Sequence, residues 1–91
     1  MTEQVTDDTA KQRYELVVDG KVAIAAYEKD RDTVVFTHTE VPPALKGQGV
    51  GSRLIRGALA DVRRQGLHVV AACSFVAAYL ERHPHQQDLM A

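Results

Sequence analysis

The stretch Lys46-Gly47-Gln48-Gly49-Val50-Gly51 carries three glycines within five residues. It follows Pro42-Pro43 and precedes an amphipathic segment, residues 52–65. Glycine at this density allows a tight turn and lets a ligand come close to the backbone N–H groups. A helix that begins at such a loop directs N–H groups without helical partners, and the positive end of its dipole, towards that ligand. The stretch therefore predicts a loop that binds a phosphate or pyrophosphate.

The composition is typical of one small globular domain. The chain has 91 residues, of which 45% are hydrophobic and 25% charged, and this length permits one domain at most. A formal net charge of −1 offers no basic excess for binding nucleic acid. No apolar run reaches the ~18 residues that indicate a membrane span. We therefore expect neither a nucleic-acid partner nor a membrane partner.

The N-terminus and the cysteine count indicate a reducing compartment. The first residues, Met1-Thr2-Glu3-Gln4, lack the basic and apolar regions of a secretory signal. Cys73 is the single cysteine, so an internal disulfide is excluded. We expect a cytoplasmic protein with a reduced Cys73 thiol.

Three strand-like runs precede the glycine loop. Alternating residues 14–18 and the apolar run 22–27 are separated by Asp19-Gly20, the strongest short signal for a β-hairpin. Residues 33–39 are rich in β-branched side chains and predict a third strand. We expect these strands to form an antiparallel meander. Residues 1–12 are polar and without period, which predicts a disordered tail before a single domain over residues 13–91.

Two helices and one strand are predicted after the loop. Apolar residues recur at helical spacing over residues 50–62, and Gly66 fits the C-terminal cap of that helix. The apolar run 67–73 suits a strand covered on both faces. Ser74 can cap a second helix. The side chains expected to form the buried stripe of that helix are Phe75, Val76, Tyr79 and Leu80.

The predicted order β-β-β-α-β-α contains a βαβ crossover. The strands on either side of the first helix should therefore run parallel and end at the same edge of the sheet. This edge carries Glu40, Val41, the glycine loop and Cys73. Ligands of α/β sheets usually bind at such a carboxyl edge.

Two common phosphate-binding loops do not fit the glycine pattern. A dinucleotide-binding loop needs Gly-x-Gly-x-x-Gly and an acidic residue about 20 positions later, whereas Gly47, Gly49 and Gly51 alternate and the following strand is apolar. A Walker loop needs lysine before the serine, and Gly51-Ser52 has none there.

The loop does match the pattern Arg/Gln-x-x-Gly-x-Gly/Ala, with Lys46 at the basic position and Gly49 and Gly51 at the glycines. With this loop and the order of elements around it, residues 33–84 resemble the Gcn5-related N-acetyltransferase (GNAT) superfamily. The later stretch is similar to the motif of the small, single-domain YjdJ-like subgroup: Cys73-Ser74-Phe75-Val76-Ala77-Ala78-Tyr79-Leu80-Glu81-Arg82-His83-Pro84. The chain departs from that subgroup at His85-Gln86, where an acidic residue and an aromatic are usual. The resemblance implies an α/β (α+β) minimal GNAT fold, in which the meander is followed by the crossover and a C-terminal helix.

The resemblance implies acetyl-CoA as cosubstrate. In that family the loop amides bind the pyrophosphate of CoA, and the N–H at the position of Val41 faces the thioester carbonyl. The implied cofactor-binding residues are Val41, Lys46, Gly47, Gln48, Gly49, Val50, Gly51 and Ser52. His68, His83 and His85 have no metal-ligand spacing with Cys73, so we expect no metal.

Three residues are candidates for catalysis, each with a structural alternative. Glu40 is either the general base or a solvated carboxylate at a strand end. Cys73 is either a nucleophile activated by the following helix or part of the cleft lining. Tyr79 either protonates the departing CoA thiolate, as the resemblance implies, or packs in the core. His38 shares a face with Glu40 and either relays a proton or packs in the sheet, and we expect it to pack in the sheet.

Three functions follow, from different classes. The first is an acetyl-CoA-dependent N-acetyltransferase that modifies an unidentified small-molecule or peptide amine. The second is a CoA-binding module without catalysis. The third, a nucleotide-binding or partner-docking domain, rests on the loop alone. We expect a monomer or a weak homodimer that pairs through an exposed sheet edge.

Overall fold

The computed structural model describes residues 4–91 and contains one five-stranded mixed sheet with two α-helices on one of its faces. The strands are β1 (Thr6–Asp8), β2 (Arg13–Val18), β3 (Lys21–Asp30), β4 (Thr33–Glu40) and β5 (His68–Ala71), and the helices are α1 (Val50–Arg64) and α2 (Ser74–Arg82). Short 3-10 helices cover Pro43–Leu45 and Pro84–Leu89. Neighbouring strands are antiparallel except β4 and β5, which are parallel. The predicted meander, crossover and C-terminal helix are confirmed.

The predicted hairpin turn joins β2 to β3. Val18 pairs with Lys21, and the two residues between them, Asp19 and Gly20, have φ values of 52° and 74°. Two successive positive φ values are those of a type I′ turn, whose twist matches that of the strands. The Asp-Gly pair therefore sets the register of the meander.

Helix α1 covers the sheet with a continuous apolar stripe. The fully buried side chains of the stripe are Leu54, Ile55, Ala58, Leu59 and Val62. Burying each of the larger ones contributes ~1.5–3 kcal/mol relative to exposure. The helix ends with Gly66 in the left-handed region, at a φ of 71°. There the Leu67 N–H donates to the Val62 carbonyl at 3.0 Å, which confirms the predicted glycine cap.

Two tyrosines of the sheet make hydrogen bonds that tie it to α1 and to β1. The Tyr14 hydroxyl donates to Asp61 of α1 at 2.7 Å, and the Tyr27 hydroxyl donates to Asp7 of β1 at 2.6 Å. The two rings pack together with centroids 5.3 Å apart. Burial raises the pKa of both phenols, and the bonds to the carboxylates raise it further. Both groups therefore stay protonated and keep donating at physiological pH.

The opposite face of the sheet is open. The side chains of Val17, Val22 and Val70 project from it and are 55%, 42% and 41% exposed. The apolar run 67–73, which contains β5, was expected to be covered on both faces, and that expectation is wrong. Its helix-side residue Val69 is buried, but both helices lie on that same side.

A β-bulge changes the alternation of side chains in β4. Phe36 pairs with Tyr27 and His38 pairs with Ala26, so Thr37 is an extra residue. Before the bulge Phe36 faces the helices and is buried. After it His38 and Glu40 face the open side. Bulges characteristically re-aim side chains in this way.

The predicted disordered tail is wrong for the described part of residues 1–12. Residues 1–3 lie outside the described residues. Thr6–Asp8 form β1, which pairs with β2, and the side chain of Val5 packs against α1 at Gly57. The segment is held by edge pairing, by the Tyr27–Asp7 hydrogen bond and by this contact, none of which appears as a hydrophobic period.

The last helical turns differ in detail from the prediction. Cys73, rather than Ser74, is the N-cap of α2, and no side-chain hydrogen bond caps the helix. Phe75 is only half-buried, while Val76, Tyr79 and Leu80 are buried as predicted. Leu89 returns the chain to the core, and Met90 makes a bridge to Val69. Over residues 4–91, no helix has both the length and the hydropathy needed to cross a bilayer.

Replacing Gly57 with alanine tests whether the N-terminal segment is docked. The new Cβ would lie 2.4 Å from Val5 Cγ2 and 2.6 Å from Val5 Cβ, so Gly57→Ala should destabilise the protein by ~1–3 kcal/mol in urea unfolding. In a Val5→Gly background the clash is gone. The same substitution should then stabilise by up to ~1 kcal/mol, because alanine favours helix over glycine. Stabilisation in both backgrounds would contradict the docking of this segment.

Candidate functional site

The glycine loop turns sharply and delivers the chain into α1. Gly47 and Gly49 have φ values of 82° and 72°, a region that favours glycine. The Arg53 N–H donates to the Gly49 carbonyl at 3.1 Å and begins the hydrogen-bond ladder of the helix. The N–H groups of the three residues between them precede that ladder and point out of the helix end. Backbone N–H groups are therefore available to an anion at this point.

Gly51 brings the starts of the two helices together. A Cβ built at Gly51 would lie 2.4 Å from Cζ of Phe75. Only a residue without a side chain lets α1 begin this close to the first turn of α2. The glycine loop and the segment that carries Cys73 are therefore neighbours.

A cleft of about 900 Å³ opens in front of the loop. Seven of the eight residues predicted to bind the cofactor line it: Val41, Lys46, Gly47, Gly49, Val50, Gly51 and Ser52. The eighth, Gln48, does not line it, and its side-chain amide donates to the Ala44 carbonyl at 3.2 Å. Buried Leu45 anchors the 3-10 turn that leads into the loop. The volume of this cleft is in the range usual for small-molecule sites.

The strands β4 and β5 diverge at the cleft. Their pairing runs from Thr33 opposite His68 to Phe36 opposite Ala71, whereas β4 continues to Glu40. Beyond the last pair, Thr39 Oγ1 lies 3.4 Å from Cys73 Sγ. Thr39 lines the cleft, and Cys73 lies directly behind it without lining the cleft itself.

The surroundings of Cys73 favour the thiolate. Partial burial raises the pKa of the thiol, but hydrogen bonds from the Thr39 hydroxyl and from the N–H groups of Val76, Phe75 and Thr39 outweigh it. The net effect is a pKa below the ordinary value. Two of these donors belong to the first turn of α2, so the predicted influence of that helix on the thiol is present.

Glu40 lies on the other side of the sheet from Cys73. Its side chain is 66% exposed, lines the cleft and has its Oε2 3.5 Å from Nε2 of His38. His38 is also exposed, so the expectation that it packs in the sheet is wrong. The bulge at Thr37 explains this, because it turns both side chains away from the core.

Tyr79 lies in a separate, smaller cleft. This cleft of about 280 Å³ is lined by Ser52, Arg53, Arg56, Tyr79, His83 and His85. The Tyr79 ring stacks on His83 with centroids 3.9 Å apart, and His83 Nδ1–H donates to the Tyr79 carbonyl at 2.7 Å. Burial raises the pKa of the Tyr79 phenol, and the nearby Arg56 charge partly opposes the rise. The structure therefore does not bring Tyr79 together with Glu40, although Ser52 lines both clefts.

The three candidate catalytic residues thus occupy three surroundings. Glu40 lines the large cleft, and Tyr79 lines the smaller cleft. Cys73 lies behind Thr39, which lines the large cleft. Four further residues, to which the sequence pattern assigned no role in the site, also line the large cleft: Arg13, Val22, Ile24 and Thr39. Knowledge of the bulge at Thr37 would have indicated that Thr39 faces the helices. A bulge of one residue is not visible in the sequence, because the strand is a run of β-branched residues.

Comparison with known proteins gives the family. The model of the GCN5-related N-acetyltransferase family matches residues 13–89. This chain belongs to that family. The match includes the glycine loop, both helices and β2 to β5, so the family assignment applies to the cleft as well as to the fold.

Individual relatives agree with this assignment. The chain is 29% identical over 89 residues to Protein NATD1 of Gallus gallus, and 27% identical over 89 residues to Protein NATD1 of Danio rerio. Each alignment covers 94% of this chain and 81% of the relative. A GCN5-like protein from Staphylococcus aureus, solved by NMR, superposes with a TM-score of 0.75 at 26% identity, covering 97% of this chain and 87% of that one. The chain is thus a GCN5-related family member with an α/β fold, and its place in the YjdJ-like subgroup stays a prediction.

Removing the Thr39 hydroxyl should raise the pKa of Cys73. In Thr39→Val the thiolate loses a donor that stabilises it, so alkylation by iodoacetamide should reach half its maximal rate at a higher pH than in the parent protein. Thr37→Val is the matched control on the same strand, since its hydroxyl donates to the Ala26 carbonyl and not to the thiol. An unchanged alkylation profile in Thr39→Val would contradict the contact.

Proposed function

We propose that the protein is an N-acetyltransferase that transfers the acetyl group of acetyl-CoA to an amine in the cytoplasm. The observation that carries this proposal is the cleft that joins the glycine loop to the diverging end of β4 in a chain of this family. The loop offers backbone N–H groups and the Lys46 charge to a pyrophosphate. The edge of β4 beyond Phe36 offers backbone groups to an extended arm.

The thioester end of the cosubstrate belongs at Val41. Val41 lines the cleft immediately after β4 ends, between Glu40 and Pro42. By family resemblance, its N–H is the proposed donor to the thioester carbonyl. An N–H held in position by the strand end and the following prolines would stabilise negative charge on that oxygen without reorganisation.

Glu40 is the proposed general base. The amine nitrogen attacks the carbonyl carbon, the carbon–sulfur bond breaks, and CoA leaves as a thiolate that takes up a proton from solvent. The proton lost by the amine passes to the Glu40 carboxylate, directly or through one water. Exposure of this side chain at the cleft suits proton exchange with solvent.

Two roles for Cys73 stay open under this proposal. Its lowered pKa would suit attack on the thioester, which moves the acetyl group to Sγ and releases CoA before the amine attacks. Its position behind Thr39 equally suits a residue that shapes the wall of the cleft. The phenol of Tyr79 is a proton donor for the CoA thiolate only if the smaller cleft opens into the larger one.

One observation favours a CoA-binding module without catalysis as the second candidate. Glu40, Cys73 and Tyr79 do not converge on one point, and a transferase needs its proton acceptor at the thioester. The glycine loop, by contrast, is complete and would bind CoA in either case.

Acetyl-CoA should stabilise the protein, and the glycine loop should be responsible. At a concentration one hundred times its Kd, acetyl-CoA should add ~2.7 kcal/mol to the free energy of unfolding, while NAD and ATP add little. Gly49→Ala places a side chain at a positive φ and should weaken this effect. Gly66→Ala is the matched control, because the φ of Gly66, 71°, differs from that of Gly49 by only 1°. A new Cβ would have open space at both positions, and Gly66 lies at the opposite end of α1 from the loop.

Both substitutions should cost ~1 kcal/mol of stability through backbone strain. Only the substitution in the loop should reduce the shift produced by acetyl-CoA in a thermal unfolding titration. No shift with acetyl-CoA in the parent protein would remove both candidate functions.

Glu40→Gln should separate binding from catalysis. The amide cannot accept the amine proton, so the rate of CoA release with a reactive amine should fall ~10²–10⁴-fold. Stabilisation by acetyl-CoA should persist, because the loop is untouched. Glu28→Gln is the control on the exposed part of β3, away from the cleft. Equal rates in Glu40→Gln and the parent protein would rule out the base role.

A further inference from the structure

The open face of the sheet carries an apolar strip that continues into the cleft. Val22 and Ile24 of β3 line the cleft together with Glu40, and the register places Ile24 directly opposite Glu40. Directly opposed residues of neighbouring strands project from the same face. The cleft therefore extends past the glycine loop and over the open face of β3.

The charges along this strip favour a cationic ligand. Arg13 lines the same region, but its Nε donates to Glu15 Oε2 at 2.7 Å, and this ion pair balances its charge. The strip ends at the exposed carboxylate of Glu40, which lies 3.5 Å from His38 Nε2, and the other basic side chain of the cleft, Lys46, belongs to the glycine loop. A carboxylate at the end of an apolar floor attracts a cation and disfavours an anion.

We propose that Val22 and Ile24 form the floor of the acceptor subsite, and that the acceptor is a primary alkylamine. Its nitrogen lies at Glu40 and its aliphatic chain lies over Val22 and Ile24. This inference rests on the proposed function, because it assigns the amine substrate of the same site. It also gives a role to Val22, which is exposed, and to Ile24, which the fold buries only in part.

The shape and chemistry of the floor distinguish this acceptor from other amines. An amino sugar would place hydroxyl groups over valine and isoleucine side chains, where they gain no hydrogen bonds. An acidic amino acid would bring a carboxylate close to Glu40. A chain of methylenes instead gains from each group that leaves water, about four-fold in affinity per methylene.

The inference is tested by titrating the full chain with ethylamine, butylamine and hexylamine. Binding is monitored by NMR of the methyl groups, with and without CoA present. The expected result is that the methyl signals of Val22 and Ile24 move, and that affinity rises about four-fold per added methylene. Butyrate and butanol, which lack the cation, should bind more weakly than butylamine. Glu40→Gln should remove the preference for butylamine over butanol.

Val22→Ser and Val17→Ser form the matched pair of variants. The two valines are paired directly across β2 and β3, and both are exposed, but only Val22 lines the cleft. Val22→Ser should flatten the dependence on chain length, and Val17→Ser should leave it as in the parent protein. Absence of shifts at Val22 and Ile24, equal shifts at Val17 and Val70, or equal effects of the two variants would overturn the inference.

The proposed function has a separate readout in the same samples. Formation of N-acetylated butylamine from acetyl-CoA measures the transferase step. Binding of butylamine at Val22 and Ile24 without any acetylated product would contradict the transferase and leave the subsite standing. Acetylation of amines without the chain-length dependence would contradict the subsite and leave the transferase standing.

Discussion

One extra residue in β4, Thr37, decides which side chains meet at the candidate site. With strict alternation, His38 and Glu40 would share the helix-covered face with Phe36, and a carboxylate would be buried among apolar side chains at a cost of several kcal/mol. The bulge turns both side chains to the open face and turns Thr39 towards the helices. The core therefore stays apolar, and the polar groups gather where β4 ends and the cleft begins.

The elements with strong local signals could be predicted from the sequence. Asp19-Gly20 specifies a turn whose φ values few other pairs adopt, and the apolar period of α1 allows one orientation over the sheet. Strand β1 could not be predicted, because Thr6–Asp8 contain no apolar residue and are held by backbone pairing with β2 and by the Tyr27–Asp7 hydrogen bond. The open face could not be predicted either, since an apolar run such as residues 67–73 looks the same whether one face or both are covered.

The sequence predicted the sheet edge at which the site lies, but not the face of the sheet on which each side chain lies. Parallel β4 and β5 bring the glycine loop, Glu40 and Cys73 to one edge, as the crossover required. The sequence does not say which side of the sheet each side chain faces, because that depends on the bulge and on where β5 stops pairing. Glu40 and Cys73 are therefore neighbours along the edge but lie on opposite faces, separated by Thr39.

This separation constrains any reaction that uses both residues. Under the proposed function, an amine over the open face would meet Glu40 first, so direct transfer would need the thioester at the end of β4 and nothing from Cys73. An acetyl group on Cys73 would start on the helix side and would have to reach the open face around the end of β4, past Thr39. Such a route would lie where β5 has stopped pairing at Ala71 while β4 continues to Glu40. The divergence of these two strands is thus a requirement of either route, and the direct route makes the smaller demand on the geometry.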